Sequence, residues 1–285
     1  IDWEEQGKLI KIVTDSTAQL TEDELKEYKI TVVPLQISLR KQILLDGVDI
    51  SRSEFSRELK ESKDFPRTSQ PSIGQFKSVY DDLGKDGSTV ISIHMSEVLS
   101  GTVNVAREAN KLTSTDVTVV DSGFTDRSLA FLVIEAAKMA QQGKCKTEIL
   151  DQLAVKKTTT HLFCFINSLD YFVKGGRASR AIGFFSSLIK LKLVLTMEGN
   201  KLKVVSKCRG QARFQQIINK MVDSVVNSRG ITQVGLSYVD SDEEVSRIAN
   251  FLHEKRPDLK IVTRLTSPII MSHVGPKGFA LMYDA

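Results

Sequence analysis

The apolar residues of the first half of the chain form short continuous runs that alternate with longer, helically spaced runs. The continuous runs at 8–14, 89–94 and 117–121 are typical of buried strands. A further strand is predicted over 30–39, interrupted by Pro34, and a small hairpin-like excursion at 43–45. The helically spaced runs predict helices over 21–28, 51–62, 72–83, 101–111, 124–142 and 147–158. This repetition predicts a three-layer α/β/α domain with a mostly parallel sheet.

The pattern changes after residue 160. A strand at 162–166 is followed by a basic turn at 173–177 and a very apolar helical run at 182–189. Two strands, 191–197 and 201–206, are joined by Glu198-Gly199-Asn200 and predict a hairpin, so antiparallel pairing begins there. Helices over 209–227 and 242–255 alternate with strands at 233–239, 260–265 and 279–283. We therefore expect two domains, 8–165 and 166–285, the second an α/β domain with a mixed or antiparallel sheet.

Charge, apolar run length and cysteine spacing exclude several classes of protein. The 285 residues carry a formal net charge of +4, and the chain has no apolar run long enough for a transmembrane helix. The opening residues are acidic and polar, unlike a signal peptide. Three cysteines, far apart and without a C-x-x-C pair, are typical of a reducing compartment and argue against zinc or a disulfide framework. The expectation is a cytoplasmic protein without a metal or other cofactor.

Hydroxyl-bearing residues stand at two places where helices are predicted to begin. Thr68 and Ser69 precede one helix, and Ser100 and Gly101 precede another that follows a buried strand. Helix starts present unpaired backbone N–H groups and a partial positive charge, so both places suit a small anion. Because no cluster of titratable groups accompanies them, the pattern favours a binding site over a catalytic one.

Basic residues are concentrated between positions 174 and 213. They are Lys174, Arg177, Arg180, Lys190, Lys192, Lys201, Lys203, Lys207, Arg209 and Arg213. Two interpretations remain open, namely solvated faces of amphipathic elements or a docking face for an anionic partner. Nucleic acid is not favoured, because no helix-turn-helix, zinc or aromatic-interleaved signature accompanies the charge.

Seven short motifs occur along the chain in an order that is typical of a known family. They are Thr14-Asp15-Ser16, Val33-Pro34-Leu35, Thr68-Ser69-Gln70-Pro71-Ser72, Leu99-Ser100-Gly101-Thr102, Val120-Asp121-Ser122, Lys174-Gly175-Gly176-Arg177 and His273-Val274-Gly275-Pro276. In this order and spacing the chain resembles the DegV family from about Ile10 to Tyr283. The resemblance implies a two-domain α/β protein that binds one long-chain fatty acid. It also implies similarity to the binding subunits of bacterial fatty acid kinase, which present the acyl carboxylate to a separate ATP-using kinase subunit, and the acyl phosphate then feeds phospholipid synthesis.

The resemblance assigns roles residue by residue. Thr68, Ser100 and His273 match the carboxylate-binding set, with Ser69 and Gly101 as their neighbours. Arg177 matches the family's basic turn and is a candidate to face the kinase partner or the head group, and Lys174 and Arg209 of the basic stretch are candidates for the same role. The implied ligand is a long-chain fatty acid, the implied partner is the kinase catalytic subunit, and transient membrane contact is a further expectation.

A fatty acid also suits the chemistry of these residues. Burial contributes about 0.8 kcal/mol per methylene, so a tail of about 16 carbons supplies roughly 10 kcal/mol before ordering costs. The head group then needs orientation more than strength, which two hydroxyls, a helix-start amide and an imidazole provide. Large apolar residues are candidates for the tail channel or for ordinary core: Phe163, Phe165, Phe184, Phe185, Leu188, Ile189, Ile269, Ile270 and Met271.

Two other functions compete with the carrier. Ser100 and His273, with Asp15 or Asp121, suggest a serine hydrolase-like or phosphotransfer enzyme. Against it, the sequence has no G-x-S-x-G elbow, Walker loop, G-x-G-x-x-G or H-E-x-x-H motif. The third function is a partner-binding regulator that uses the basic face and carries lipid incidentally. The prediction is a lipid-binding subunit without its own ATP site.

Overall fold

The computed structural model describes residues 9–61, 65–178 and 190–285. The strands are β1 (Ile10–Asp15), β2 (Thr31–Val33), β3 (Gln36–Leu39), β4 (Gln42–Leu45), β5 (Arg67–Ser69), β6 (Thr89–His94), β7 (Val117–Asp121), β8 (Thr160–Ile166), β9 (Leu191–Glu198), β10 (Lys201–Arg209), β11 (Gln233–Tyr238), β12 (Lys260–Leu265) and β13 (Phe279–Asp284). The helices are α1 (Glu22–Glu27), α2 (Arg52–Glu61), α3 (Ile73–Gly84), α4 (Thr102–Asn110), α5 (Asp126–Gln141), α6 (Lys146–Thr159), α7 (Asp170–Lys174), α8 (Gln211–Asn227), α9 (Glu243–Lys255) and α10 (Pro268–Val274).

The chain divides into two compact units, and the first comprises the described residues up to 36 together with 69–159. Its sheet has the order β2-β1-β6-β7, and all its described pairs are parallel, as in Val13↔Thr31 and Val90↔Val117. Every residue of β6 is buried, which explains its continuous apolar run. Helices α3 and α4 cover the sheet with Phe76, Tyr80 and Ala106, and α5 packs on β1 and β6. The predicted parallel sheet is confirmed.

The second unit comprises 37–68 and 160–285. Its main sheet has the order β10-β9-β8-β13-β11-β12, in which β11 and β12 are parallel and the other described pairs are antiparallel. The predicted hairpin forms β9 and β10, with a register shift between Val204 and Ser206. Apolar faces of α8 and α9 pack against β11 and β13 to form the core. The predicted mixed sheet is confirmed.

A small three-stranded sheet, β4-β3-β5, is built mostly by residues of the second unit. The sequence pattern predicts that residues 37–68 belong to the N-terminal domain and that this domain ends at residue 165. The contacts instead join these residues to 160–285, and the division falls between Thr159 and Thr160. One anchor is α2, where Ser56 donates to the Val239 carbonyl at 2.9 Å and Arg52 to the Leu265 carbonyl at 2.8 Å.

Local predictions differ in three places. Thr68 and Ser69, placed by the sequence only as residues that precede a helix, end strand β5, and His273 lies on helix α10, which the sequence pattern did not predict. The basic turn begins inside the short helix α7. The predicted apolar helix at 182–189 lies outside the described residues. Across 9–61, 65–178 and 190–285, no helix has both the length and the apolar character needed to cross a membrane.

Candidate functional site

Thr68 and His273 form the central contact among the predicted site residues. Both lie in the second unit, and a hydrogen bond of 2.8 Å joins Thr68 Oγ1 to His273 Nε2 across a sequence separation of 205. Both side chains are half-buried, so the pair is partly shielded from water yet open on one side. A hydroxyl and an imidazole held together in this way can both donate to one oxyanion. Thr68 and His273, two of the three residues that the resemblance assigned to the carboxylate, are therefore neighbours.

The position of His273 follows from the way α10 begins and ends. Ser267 caps the helix by accepting from the Ile270 amide at 3.3 Å, and Pro268 occupies the first turn, where its missing N–H has no cost. The helix ends at Gly275, whose φ of 76° is favourable only for glycine. A helix of these few residues places the imidazole on the side that faces β5.

Helix α7 borders the other edge of the His273 ring. A Cβ atom built on Gly175 would lie 2.2 Å from His273 Nδ1, so the glycine backbone touches the imidazole. Tyr171 on the same helix stacks against Phe65, with ring centroids 4.5 Å apart. Sequence reasoning missed both contacts, since it assigned Gly175 to a flexible turn and gave Tyr171 no role.

Ser69, Ser100 and Gly101 belong to the first unit. Ser69 is exposed and donates to Gln36 Oε1 at 3.2 Å. Ser100 is buried, its hydroxyl lies 2.9 Å from Thr102 Oγ1, and it also accepts from the Thr102 amide at 3.4 Å. The first turn of α4 therefore carries two hydroxyls in addition to its backbone amides.

The exposed Gln70 side chain lies beside Gly101. A Cβ atom on this residue would lie 2.4 Å from the Gln70 side-chain oxygen. Helix α4 begins at Gly101 without a side-chain cap, whereas the α3 start is closed by a capping box between Ser72 and Gln75. Of the two helix starts proposed for anion binding, the α4 start is the one without a capping side chain. Gln70 was not singled out from the sequence.

Lys174, one of the three residues assigned to partner docking, lines a pocket of the second unit. This pocket of about 730 Å³ is lined by three lysines, Lys174, Lys190 and Lys192, and by one carboxylate, that of Asp170. Burial lowers the pKa of Lys192. The Lys174 ammonium lies 4.8 Å above the Phe65 ring.

The two arginines of the predicted docking set have different surroundings. Arg209 is exposed, and its neighbour Gly210 lines the pocket with the three lysines. Arg177 is half-buried and donates to the Gly175 carbonyl at 2.7 Å. Arg177 thus supports the backbone beside His273, a role that the sequence did not indicate.

A second histidine occupies a fully buried polar chain in the first unit. His94 contacts the Asp15 carboxylate at 3.1 Å through Nδ1 and Ser92 at 2.6 Å through Nε2, and Ser92 contacts the Tyr80 hydroxyl at 2.8 Å. Asp15 also accepts from the Met95 amide at 2.8 Å, which fixes the loop after β6. These groups resemble a hydrolase triad in order, but Ser92, His94 and Asp15 have no exposed surface. Of the two carboxylates that the hydrolase interpretation offered to His273, Asp15 is bonded to His94, and Asp121 accepts from the Gly123 amide at 2.9 Å.

Among the described residues, no cluster of three or more histidine, cysteine or acidic side chains has the geometry to hold a metal ion. The fold and the site together define a class: an α/β protein with a parallel and a mixed sheet, in which a threonine–histidine pair forms the main polar contact.

Comparison with known proteins identifies the family. Residues 9–285 match the model of the DegV family, which is described as uncharacterised, and the chain belongs to this family. It is 37% identical over 273 residues to a DegV domain-containing protein of Streptococcus pneumoniae serotype 4, a match that covers 96% of this chain and 97% of the relative.

Two solved structures share the fold and more than a quarter of the sequence. One is DegV from Bacillus subtilis, described as a fatty acid binding protein, with 26% identity, a TM-score of 0.90 and coverage of 98% of this chain and 100% of that one. The other is a DegV family protein from Thermus thermophilus, described by its fatty acid binding, with 27% identity, a TM-score of 0.86 and coverage of 97% and 99%.

Proposed function

We propose that this protein binds one long-chain fatty acid and holds its carboxylate with Thr68 and His273. The observation that carries the proposal is the 2.8 Å contact between these two side chains, in a chain whose similar solved structures are described as fatty-acid-binding. The site orients the head group, while burial of the tail supplies most of the affinity.

The chemistry of the pair suits a carboxylate. The threonine hydroxyl and the imidazole each have one N–H or O–H to offer, and a carboxylate has two acceptor oxygens. Without a ligand, the two side chains share one hydrogen bond with each other. A bound carboxylate replaces that bond with two, one from the threonine hydroxyl and one from the imidazole N–H. Hydrogen bonds to a charged acceptor are stronger than neutral ones, which favours the exchange.

The second part of the proposal concerns the first unit. Ser69, Ser100 and Gly101 belong to the carboxylate-binding set that the family resemblance implies. Support comes from the first turn of α4, where Gly101 provides no capping side chain and Ser100 places a hydroxyl beside Thr102. Ser100→Ala removes that hydroxyl without adding bulk, and we expect it to weaken fatty acid binding independently of Thr68→Val.

Native mass spectrometry with lipid extraction tests the proposal. The purified protein should carry a single species of fatty-acid mass, or acquire one from added oleate or palmitate. Thr68→Val and His273→Ala should each weaken oleate binding about tenfold, the effect of one hydrogen bond to a charged group. Matched controls are Thr263→Val and His253→Ala, both at exposed positions. An empty protein that takes up neither acid would refute the proposal.

We further propose that the protein presents the bound acid to a separate kinase subunit and has no ATP site of its own. The support is the group of lysines around the 730 Å³ pocket, since three cations against one carboxylate favour an acidic partner surface. Presentation requires that the kinase binds this face while the fatty acid stays in place.

Charge reversal separates partner docking from lipid binding. Lys174→Glu combined with Arg209→Glu should abolish binding to the kinase subunit and the formation of acyl phosphate, while oleate affinity stays unchanged. Lys220→Glu, at an exposed position on α8, is the matched control. Unchanged kinase binding in the double variant would exclude this face as the docking surface.

Labelling with a fluorophosphonate probe tests the proposal against the hydrolase alternative. A binding protein should not be labelled at Ser100, and the signal should be the same in Ser100→Ala. Ser92 is closed to the probe because it is fully buried. Stoichiometric labelling at Ser100 would establish an activated serine and replace the carrier function with an enzymatic one.

A further inference from the structure

Helices α7 and α10 end on glycines, and each glycine receives a ring from the other helix. Helix α7 ends at Gly175, which faces the His273 imidazole, and a Cβ there would lie 2.2 Å from Nδ1. Helix α10 ends at Gly275, which faces the Tyr171 ring, and a Cβ there would lie 2.6 Å from Cδ2. The packing is thus reciprocal, and we call these four residues the glycine clasp.

We propose that Gly175 is a positioning residue for His273: by lacking a side chain, it lets the imidazole occupy the place from which Nε2 reaches Thr68. The inference rests on the proposed function, because the pair that it positions is the proposed head-group site. The geometry of a turn does not by itself require a glycine at position 175. Gly175 has a φ of −72°, which any residue adopts, so conformational freedom does not explain a glycine here.

The space between Gly175 and the His273 ring is too small for a methyl group. An ordinary contact between a Cβ and a ring atom begins at about 3.4 Å, whereas the position available on Gly175 is 2.2 Å from Nδ1 and 3.0 Å from Cε1. The ring or the backbone must therefore move by about 1 Å to admit a methyl group. Such a shift is large against the 2.8 Å contact between Nε2 and Thr68.

The backbone of Gly175 is held on both sides, so the ring is the part that yields. The Gly175 amide donates to the Tyr171 carbonyl at 2.8 Å, and the Gly175 carbonyl accepts from Arg177 at 2.7 Å. Tyr171 is itself fixed between Phe65 and Gly275. The Cβ of an alanine would also lie 2.9 Å from the Tyr171 carbonyl, which opposes movement toward α7.

The neighbouring glycine offers a matched control. Gly176 has a φ of 74°, and a Cβ built on it meets nothing within 4 Å. Gly176→Ala therefore strains the backbone without touching His273, and Gly175→Ala touches His273 without requiring an unusual φ. Comparing them separates backbone strain from displacement of the imidazole.

The test measures oleate affinity by titration calorimetry in both variants. Gly175→Ala should weaken binding about tenfold, as expected for the loss of one hydrogen bond to the carboxylate, and Gly176→Ala less than about threefold. In the His273→Ala background the contact with the ring is absent and only the 2.9 Å approach to the Tyr171 carbonyl remains, so Gly175→Ala should cause much less further loss. An equal loss in both backgrounds would show that the glycine acts structurally and would overturn the proposal.

NMR spectroscopy of the histidine rings supplies a measurement that does not depend on the lipid. The chain has four histidines, and the His273 ring resonances are assigned as those missing from His273→Ala. In lipid-free protein, Gly175→Ala should shift these resonances, while Gly176→Ala should leave them in place. Unmoved resonances in Gly175→Ala would overturn the proposal even if oleate binding were weakened.

The outcomes remain distinct from those of the proposed function. A wild-type protein that binds no fatty acid refutes the proposed function, and the resonance shift still decides whether Gly175 positions His273. If Gly175→Ala does not fold, the double variant with His273→Ala decides the question. Restored folding supports the contact with the ring, and failure to restore folding refutes it.

Discussion

A buried ion pair in the first unit allows a quantitative test of the packing. Arg127 is 1% exposed, and its guanidinium donates to Glu24 through two bonds of 2.6 and 2.7 Å and to the Gln19 carbonyl at 2.9 Å. Glu24 also closes the capping box of α1 by accepting from the Thr21 amide. Replacing Arg127 by Met keeps much of the volume but leaves a carboxylate buried without its cation.

The expected loss follows from desolvation. Removing one partner of a buried, hydrogen-bonded pair costs about 3–5 kcal/mol, because the remaining charge cannot be solvated. Glu24→Gln preserves the capping box, since glutamine at this position bonds back to the cap in the same way. In the double variant Arg127→Met/Glu24→Gln neither member of the pair is charged. Its loss of unfolding free energy should therefore be smaller than the sum of the two single losses by about 2 kcal/mol.

Urea denaturation followed by circular dichroism at pH 7 measures these free energies of unfolding. Lys85→Met is the control, because Lys85 and Asp82 form an exposed pair at 2.6 Å, and we expect no measurable change in stability. A loss below about 1 kcal/mol for Arg127→Met, or strict additivity in the double variant, would refute the argument from desolvation.

Three further predictions concern single residues. Ser267→Ala removes the cap of α10 and should cost about 1 kcal/mol of unfolding free energy, measured by urea denaturation. Gly84→Ala should destabilise the protein because its Cβ would lie 2.1 Å from the Thr115 hydroxyl, whereas Gly74→Ala, with nothing nearer than 3.9 Å, should raise the melting temperature. Burial lowers the pKa of His161 in the folded protein, so this histidine binds a proton more readily in the unfolded chain than in the folded one. Stability should therefore fall as the pH drops below about 6.5 and level off below the folded pKa, and His161→Asn should flatten this profile; an unchanged profile would contradict the assignment.

The sequence predicted the two sheets because each has a characteristic pattern. Fully buried parallel strands leave continuous apolar runs such as β6, and a hairpin leaves a glycine between two strands, as at Gly199. Helix α10 was missed although Ser267 and Pro268 carry the signal of a helix start, because its few residues are too short for a helical period to appear.

The candidate site was accessible from the sequence only in part. Thr68 and His273 were assigned through the resemblance, since nothing in local periodicity connects residues 205 positions apart. The membership of 37–68 in the second unit depends on hydrogen bonds such as Ser56 to Val239, which are tertiary contacts without a local sequence signal. The close approach of Gly175 to His273 is likewise visible only in three dimensions, because a glycine in a basic segment has the same sequence pattern as a turn.

The glycine clasp also has a thermodynamic consequence. Lys174, which lines the pocket with Lys190 and Lys192, is covalently bonded to Gly175, which touches the His273 imidazole of the proposed head-group site. A partner that displaces α7 on binding would therefore change the free energy of the Thr68–His273 pair. Linkage makes the effect reciprocal: whatever factor the partner applies to fatty acid affinity, the fatty acid applies to partner affinity. Under the proposed function, the same short helix would let the proposed kinase subunit distinguish the fatty-acid-bound protein from the empty one without contacting the lipid.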